Sequence, residues 1–180
     1  MKKFIAALAL FVGFTANANM ITLEISDNAV SVGETIQVTV LGSFSEEFDS
    51  LFFDVEFDTS ALTFVESSFS SDLTDYVDGT FDIFAVSPGP FGLSLALLLD
   101  LFSLPITEGD YMLAQFDLTA ESDGYTSLSL TNEIVASVNA PFGFDVDVVG
   151  GTQSVAVSAP ATLSLFAIAV LGLAGFRRKA

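Results

Sequence analysis

Apolar and polar residues alternate with a period of two along much of this chain, and this alternation constrains its fold more than any other feature. In the segment 51–58 every odd-numbered residue is apolar, and the even-numbered residues include three acids. In the segment 111–119 the pattern assigns Met112 and Ala114 to one face and Leu113 to the other. Because successive side chains of a β-strand point to opposite faces, both segments are predicted to be antiparallel strands with one buried face.

Further strands are predicted along the rest of the central region. They are expected at 21–26, 35–41, 62–66, 81–86, 91–99, 127–131 and 152–157, where apolar or β-branched residues are bounded by turn-forming Gly, Pro, Asn and Asp. About nine short strands without an amphipathic helical segment predict one all-β domain over residues 19–158. We expect an antiparallel β-sandwich of jelly-roll or immunoglobulin-like type.

The most apolar internal stretch, 93–104, is predicted to be a buried strand that continues into an apolar loop. Asp100 interrupts this stretch and Pro105 ends it, so a membrane segment is not expected here. Two interpretations stay open for its large side chains: they belong to the core, or they form a partly exposed patch that contacts a partner. These side chains are Leu97, Leu98, Leu99 and Phe102.

The N-terminal segment 1–18 has the three parts of a secretory signal peptide. Two lysines precede the apolar run 4–14, and small residues follow at Ala16 and Ala18. We expect cleavage after Ala18 and export of the body through the inner membrane. The alternatives are a short buried helix or an uncleaved anchor, although the apolar run is short for a hydrocarbon core of ~30 Å.

The C-terminal segment 161–176 is uncharged and apolar, and the basic residues Arg177, Arg178 and Lys179 follow it at once. As a helix it would extend about 24 Å, which is a marginal membrane span. Basic residues favour the cytoplasmic side, so this transmembrane helix would leave the body outside. The alternative is a helix buried in the core of the domain.

The same C-terminal region resembles the PEP-CTERM sorting signal of Gram-negative bacteria. The resemblance rests on Ser158-Ala159-Pro160, on the segment 171–175 and on the basic end 177–179, and Ser158 and Ala159 stand where the family has Pro and Glu. In that family an exosortase, a membrane protease or transpeptidase linked to polysaccharide export, recognises the signal. The resemblance implies an exosortase-type processing enzyme and a location in the membrane, at the cell surface or in the extracellular matrix.

The charges of the central region exclude several functions. Between residues 4 and 176 the chain has 23 acidic side chains and no Lys, Arg or His, and it has no Cys anywhere. Nucleic-acid binding through phosphates is excluded because it needs basic side chains, and disulfides and thiolate zinc sites are excluded as well. Only carboxylate pairs remain for catalysis, with no Trp to stack a sugar and no basic group to orient a substrate, so the chain is predicted not to be an enzyme.

Calcium is the metal that the acidic residues fit best, because it takes several oxygen ligands. No cofactor is required by the sequence, and neither of the two acidic groups matches an EF-hand loop. The alternative is that these acids are solvated surface carboxylates. The candidate ligands are Asp72, Asp75, Asp78 and Asp82 in one group, and Asp145 and Asp147 in the other.

Three tyrosines are candidates for carbohydrate binding, because an amphipathic ring can stack on a sugar. They are Tyr76, Tyr111 and Tyr125. A row of such rings on one sheet face would favour a polysaccharide-binding module, whereas an apolar or acidic face would favour a protein partner. The alternative is that the tyrosines seal the sheet edges and form local hydrogen bonds.

The body also resembles a cohesin domain. The segments 29–40 and 51–64 are similar to its first half, and 109–120 and 124–130 are similar to its second half. Cohesins are nine-stranded jelly-roll sandwiches related in fold to certain carbohydrate-binding modules, and the best-known ones bind dockerin modules through one sheet face. The resemblance implies an exported, non-enzymatic module that binds an extracellular protein, with exopolysaccharide binding as the alternative.

Overall fold

The computed structural model describes residues 19–77, 81–100, 103–137 and 143–159, and the strands among them form two sheets packed face to face. A short 3₁₀ helix, Asp72–Tyr76, follows the fifth strand. The strands are β1 (Asn19–Ile25), β2 (Ala29–Ser31), β3 (Thr35–Phe44), β4 (Ser50–Phe57), β5 (Leu62–Ser70), β6 (Ile83–Gly89), β7 (Gly92–Leu98), β8 (Gly109–Ala120), β9 (Gly124–Ala136), β10 (Val146–Val149) and β11 (Thr152–Ser158).

One sheet has five strands in the order β10-β1-β3-β8-β5, and the other has six in the order β2-β11-β9-β4-β7-β6. Pairing is antiparallel except for β1 with β10 and β11 with β2. The predicted antiparallel sandwich is confirmed, and each predicted strand is present. The strands β2 and β10 were not predicted, because three or four residues are too few to establish a period of two.

The core lies between the two sheets and consists of their alternating apolar residues. Phe116 of β8 is fully buried on the side of the five-stranded sheet, and Phe53 of β4 is buried on the side of the six-stranded sheet. The segment 51–58 follows the predicted alternation, since its odd-numbered residues up to 57 are all buried. Phe48 and Ile106 close one end of the core through a pair of backbone hydrogen bonds of 3.0 and 2.7 Å.

A bulge in β8 corrects one part of the predicted alternation. Val40 pairs with Ala114 and Leu41 pairs with Met112, so Leu113 has no partner across the ladder. Leu113 is fully buried, whereas Met112 lies partly in solvent. The prediction placed Met112 with Ala114 on the buried face, and it was wrong because an extra residue in a strand reverses the side-chain alternation beyond it.

A second bulge lies between β4 and β9. Phe52 pairs with Ile134 but Asp54 pairs with Thr131, so β9 places two residues opposite a single residue of β4. Asn132, the first of these two residues, has a φ of 59°, in the left-handed region. Asn occupies this region more readily than most residues because its short polar side chain can form a local hydrogen bond.

The bulge in β9 reverses which side chains point outward. Leu128 and Leu130 are buried, and unbroken alternation would also bury Ile134. Instead Val135 is buried, and Ile134 is 55% exposed on the outer face. The outward position of Ile134 therefore depends on the extra residue at Asn132.

The predicted signal peptide, 1–18, and the predicted transmembrane helix, 161–176, lie outside the described residues. The last strand ends at Ser158, the final residue of the predicted domain. Across residues 19–77, 81–100, 103–137 and 143–159, no helix is long and apolar enough to span a bilayer.

Candidate binding surfaces on the six-stranded sheet

Side chains on the outer face of the six-stranded sheet form rows that cross the strands in register. The two rows at one end are largely apolar. The first row joins Ile83, Leu98, Ser50 and Ala136, and the second joins Ala85, Ala96, Phe52 and Ile134.

We call the apolar members of β4, β6, β7 and β9 in these rows the apolar surface: Phe52, Ile83, Ala85, Ala96, Leu98 and Ile134. Ile83 is 50% exposed and Leu98 is 48% exposed, close to the value for Ile134, and the other three are half-buried. Large apolar side chains exposed singly are ordinary on protein surfaces. Here they are neighbours across four strands, and contiguous exposed apolar patches commonly mark interaction sites.

The same face becomes polar farther along the strands. The third row joins Ser87, Ser94, Asp54 and Thr131, and the fourth joins Glu56, Ser129 and Thr152. The Thr131 hydroxyl donates a hydrogen bond of 3.1 Å to Oε1 of Glu56, and the hydroxyls of Ser129 and Thr152 are 3.3 Å apart. The change from apolar to polar therefore occurs within β4, between Phe52 and Asp54.

An open cleft of about 600 Å³ begins at the fourth row and extends beyond it. Two exposed aromatic residues, four hydroxyl residues and two acidic residues line it together with the buried Phe57, and we call it the aromatic cleft. These residues are Phe91, Tyr125, Thr126, Ser127, Ser129, Ser154, Glu56, Asp58 and Phe57. Its size is within the range of about 300–1,000 Å³ that is typical of small-molecule sites.

Phe91 reaches the cleft from the tight turn between β6 and β7. Gly89 pairs with Gly92, so Pro90 and Phe91 form the two-residue connection. The Phe57 amide donates a hydrogen bond of 2.8 Å to the carbonyl oxygen of Phe91. This bond holds the turn against β4, yet the Phe91 side chain is 76% exposed.

Gly92 allows this turn to approach β4 closely. Its φ is 143°, and a Cβ atom at this position would lie 2.0 Å from the carbonyl oxygen of Val55. Any side chain would therefore collide with the backbone of β4, and an L-residue would also be strained at this φ. The glycine thus sets the position of Phe91.

Tyr125 is the second residue of β9 and pairs with Ala156 of β11. Its side chain is 92% exposed. Asp58, at the end of β4, accepts hydrogen bonds from the hydroxyl and the amide of Ser60, at 2.6 and 2.9 Å. These bonds hold the pKa of Asp58 below its ordinary value, and the bond from the Ser60 hydroxyl has the largest effect. The Asp58 carboxylate is therefore ionised at neutral pH.

The predicted calcium ligands are not assembled into a site by the described residues. Across these ranges no group of three or more acidic side chains is placed to hold a metal ion. Asp72 accepts a hydrogen bond of 2.7 Å from the Met112 amide, and Asp82 accepts bonds of 2.7 and 2.8 Å from the Asp100 amide and the Ser103 hydroxyl. Two further candidates, Asp145 and Asp147, are exposed, as is Asp75, and Asp78 lies outside the described residues.

The three predicted tyrosines do not form one row. Tyr76 and Tyr111 meet edge to face with ring centroids 6.0 Å apart, and Tyr111 belongs to the five-stranded sheet. Hydrogen bonding with Tyr111 raises the pKa of Tyr76 above its ordinary value. Tyr111 also donates a hydrogen bond of 2.9 Å to the Thr107 carbonyl oxygen, so this pair matches the alternative of local hydrogen bonding. Tyr125 lies apart from them on the six-stranded sheet.

The predicted apolar patch of β7 is divided by the strand alternation. Leu97 and Leu99 are buried and belong to the core, whereas Leu98 points outward and joins the apolar surface. Phe102 lies outside the described residues. The core interpretation therefore holds for Leu97 and Leu99, and the exposure required by the second interpretation is found at Leu98.

The predicted sorting motif begins inside the domain. Ser158 is the last residue of β11, and its hydroxyl donates a hydrogen bond of 3.4 Å to the Val30 carbonyl oxygen. Ala159 is the last described residue. Pro160 and the basic end, Arg177, Arg178 and Lys179, lie outside the described residues, as do Ala16 and Ala18 of the predicted cleavage site.

Sequence reasoning does not single out Ile134 or Phe91. Ile134 points outward because of a bulge, and the single-residue shift has no clear sequence signal. For Phe91 the sequence does contain a signal. In the segment Gly89-Pro90-Phe91-Gly92 the aromatic residue is flanked by turn formers and is therefore expected to be exposed.

The sequence matches no protein-family model and no curated protein. Solved structures of cohesin domains are nevertheless similar in fold. The OlpC type I cohesin of Clostridium thermocellum, solved in complex with the dockerin Doc435, aligns with a TM-score of 0.62 at 9% identity, over 82% of this chain and 97% of that chain.

Two other cohesins align in the same way. A type II cohesin of Acetivibrio cellulolyticus has a TM-score of 0.60 at 12% identity, over 77% of this chain and 95% of its own. A non-cellulosomal cohesin of the archaeon Archaeoglobus fulgidus has a TM-score of 0.55 at 13% identity, over 77% and 91%. At these identities the likeness concerns the fold alone. The described residues therefore adopt a cohesin-like jelly-roll sandwich.

Proposed function

We propose that this chain is an exported, non-enzymatic interaction module that binds a protein partner through the apolar surface. The observation that carries the proposal is the continuity of that surface across β4, β6, β7 and β9. Ile83, Leu98 and Ile134 are each about half exposed there, whereas the other face of the same strands packs against the core. A partner that covers these residues removes apolar area from water, which is the main favourable term in protein association.

The charge of the chain defines the partner further. All 23 acids lie between Glu24 and Asp147, with no basic side chain among them. A partner with an apolar centre and Lys or Arg around it complements this surface, whereas an acidic partner is repelled. Two of the similar cohesins were solved with a bound dockerin. A dockerin-like module is therefore one form of partner that we propose.

The location completes the proposal. The segment 1–18 directs export, and the segment 159–180 either tethers the module to the membrane or is processed by an exosortase-type enzyme. The module then acts at the cell surface or in the extracellular matrix. Fractionation of a tagged chain tests this part, and a full-length chain that stays in the cytoplasm contradicts it.

A hydrolase is the less favoured function. A carboxylic acid that donates a proton near pH 7 needs a raised pKa. At the aromatic cleft, the Ser60 hydrogen bonds lower the pKa of Asp58 instead. The sequence offers no Lys, His or Cys between residues 4 and 176 that could replace it.

The binding test uses the full-length chain as bait for proteins from the envelope and matrix fraction of its source. A captured protein is then purified and its affinity is measured directly against three forms of the bait: the natural chain, Leu98→Asp and Thr152→Asp. Leu98 belongs to the apolar surface, and Thr152 is exposed in the fourth row on the same face. We expect Leu98→Asp to weaken binding at least about tenfold, since it places a charge in a desolvated contact.

The Thr152→Asp variant controls for the added charge and is expected to bind as the natural chain does. Thermal unfolding of both variants verifies that each is folded. A purified partner whose affinity is unchanged by Leu98→Asp contradicts the proposed surface.

A further inference from the structure

We propose that the aromatic cleft between Phe91 and Tyr125 binds an uncharged glycan chain. This site lies at the polar end of the outer face, and the row of Asp54 lies between the aromatic cleft and the apolar surface. It is therefore a second function, independent of the protein partner proposed above.

The first argument is the exposure of the two aromatic rings. Phe91 is 76% exposed and Tyr125 is 92% exposed, so most of each ring is in contact with water. One face of a pyranose ring consists of C–H groups and packs well on an aromatic ring. Stacking on a sugar removes apolar ring surface from water while the sugar hydroxyls stay at the edge.

The second argument is that the backbone carrying each ring is held in place before any ligand arrives. The hydrogen bond from the Phe57 amide and a second one of 3.1 Å from the Thr59 hydroxyl to the Pro90 carbonyl oxygen fix the turn that carries Phe91. Tyr125 lies in a strand paired with β11. Groups that are already positioned lose less conformational entropy on binding.

The third argument is the set of polar groups between the rings. Ser127 pairs with Ser154 across β9 and β11, and Ser129 pairs with Glu56 across β9 and β4, so the groups lie in register. Hydroxyls both donate and accept hydrogen bonds, and carboxylates accept them. Sugar hydroxyls need hydrogen-bond donors and acceptors, and the hydroxyl and carboxylate groups of the cleft supply both.

The length of the site favours a chain of sugars over a single sugar. A second depression of about 300 Å³ lies on the other side of Phe91 and shares Phe91 and Glu56 with the aromatic cleft. Its lining also includes Asp54, Ser94 and Asn132. A glycan that crosses the Phe91 ring therefore meets polar groups on both sides.

Charge determines which glycans fit. Glu56 and Asp58 border the cleft, and no basic side chain occurs between residues 4 and 176 to offset an anionic ligand. Uronic-acid chains and sulfated chains are repelled by these carboxylates. The cleft thus selects neutral chains from the polysaccharides of a bacterial surface or matrix.

The test is native gel electrophoresis of the full-length chain through gels that contain one soluble polysaccharide each. The neutral probes are hydroxyethylcellulose, laminarin, glucomannan and soluble starch, and the anionic probes are alginate and polygalacturonate. We expect at least one neutral probe to retard the chain and neither anionic probe to do so. Retardation by no neutral probe, or equal retardation by alginate, overturns the proposal.

Variants then locate the site. Phe91→Ala and Tyr125→Ala are each expected to weaken retardation by the neutral probe several-fold, and the double variant is expected to abolish it. Phe81→Ala is the matched control, because Phe81 is 73% exposed but does not line the cleft, and it retains full retardation. Since all three rings are largely exposed, their removal leaves the core intact.

Two results separate this site from the protein-binding proposal. Leu98→Asp keeps its retardation by the glycan whether or not a protein partner is lost. If Phe91→Ala and Tyr125→Ala abolish capture of a protein while no neutral glycan retards the chain, the cleft belongs to a protein and the glycan proposal is wrong.

Discussion

The side-chain amide of Asn132 donates a hydrogen bond of 2.7 Å to Oδ2 of Asp54, at the bulge in β9 where it pairs with β4. This contact lies at the boundary between the apolar surface and the polar rows. Two residues after Asn132, the chain places Ile134 on the outer face. A single local distortion thus supplies the last member of the apolar surface.

The bulge can be tested by two substitutions at Asn132. Asn132→Ala loses the hydrogen bond to Asp54 and places in the left-handed region a residue without the polar side chain that lets Asn adopt it, so it is expected to destabilise the fold by about 1–3 kcal/mol. Asn132→Gly loses the same bond but adopts a φ of 59° easily, so its cost is smaller. Urea unfolding measures both, and a Gly variant less stable than the Ala variant contradicts this account of the bulge.

Two adjacent phenylalanines of β4 are predicted to differ sharply in their effect on stability. Phe53 is buried in the core, so Phe53→Ala creates a cavity and is expected to cost about 3–5 kcal/mol. Phe52 lies half-buried on the apolar surface, and Phe52→Ala is expected to cost less than about 1.5 kcal/mol. Denaturant midpoints of the two variants give the comparison, and equal losses are incompatible with the assigned faces.

Gly92 is predicted to tolerate no side chain. In Gly92→Ala the new Cβ meets the Val55 carbonyl oxygen at an unfavourable φ, so we expect a loss of at least about 2 kcal/mol together with displacement of Phe91. Gly89→Ala is the control in the same turn, because the nearest atom to its Cβ is 3.9 Å away. Chemical denaturation compares them. A Gly92 variant as stable as the Gly89 variant refutes the close approach.

Salt is predicted to stabilise this chain. Its central region carries 23 acids and no base. These acids repel one another, and the repulsion is stronger in the compact folded state than in the unfolded chain. Raising NaCl from about 0.01 M to about 1 M shortens the Debye length from ~30 to ~3 Å and weakens that repulsion. We expect the Tm to rise with salt, and to rise by the same amount in NaCl and in KCl. A Tm that does not change with salt contradicts the prediction.

The calcium hypothesis is tested in the same melting experiment. Calcium chloride at the ionic strength of the NaCl sample raises the Tm further only if the ion is bound specifically. A Tm that chelator leaves unchanged removes the hypothesis for Asp72, Asp75, Asp78, Asp82, Asp145 and Asp147.

The Asp58–Ser60 contact makes a pH prediction. Because folding lowers the pKa of Asp58, its contribution to stability is present at neutral pH, above the unfolded pKa, and is lost as the pH falls through the folded value. Ser60→Ala removes the hydroxyl bond and is expected to move the pKa of Asp58 upward toward its ordinary value. An NMR titration of the Asp58 carboxyl follows this shift, and an unchanged pKa in the variant disproves the assigned cause.

Much of the fold could be predicted wherever the alternation is uninterrupted. In β4 the alternation assigns each residue from Leu51 to Phe57 to the correct face, because period two is a property of the extended chain itself. In β8 the same reasoning assigns Met112 to the wrong face. In β9 the predicted alternation ends before Ile134. Both lie beside a bulge, and an extra residue in one strand is recognised only against its partner strand.

The candidate sites were less predictable than the fold. Tyr125 was proposed for carbohydrate binding and does line a cleft, but Tyr76 and Tyr111 lie against each other elsewhere. Phe91 joins Tyr125 because the turn after β6 folds over the end of β4, and Glu56 joins them because β4 pairs with β9. No local pattern in the sequence brings these three residues together.

The amino-acid sequence by itself determined the all-β class, the buried face of each regular strand and the confinement of every positive charge to the two ends. These properties depend on neighbours along the chain, and period and composition record them directly. The tertiary structure decided which exposed residues adjoin: Phe52 beside Ile134 in the apolar surface, and Phe91 near Tyr125 in the cleft. That choice depends on strand register, which long-range packing sets and which the bulge in β9 shifts at Ile134.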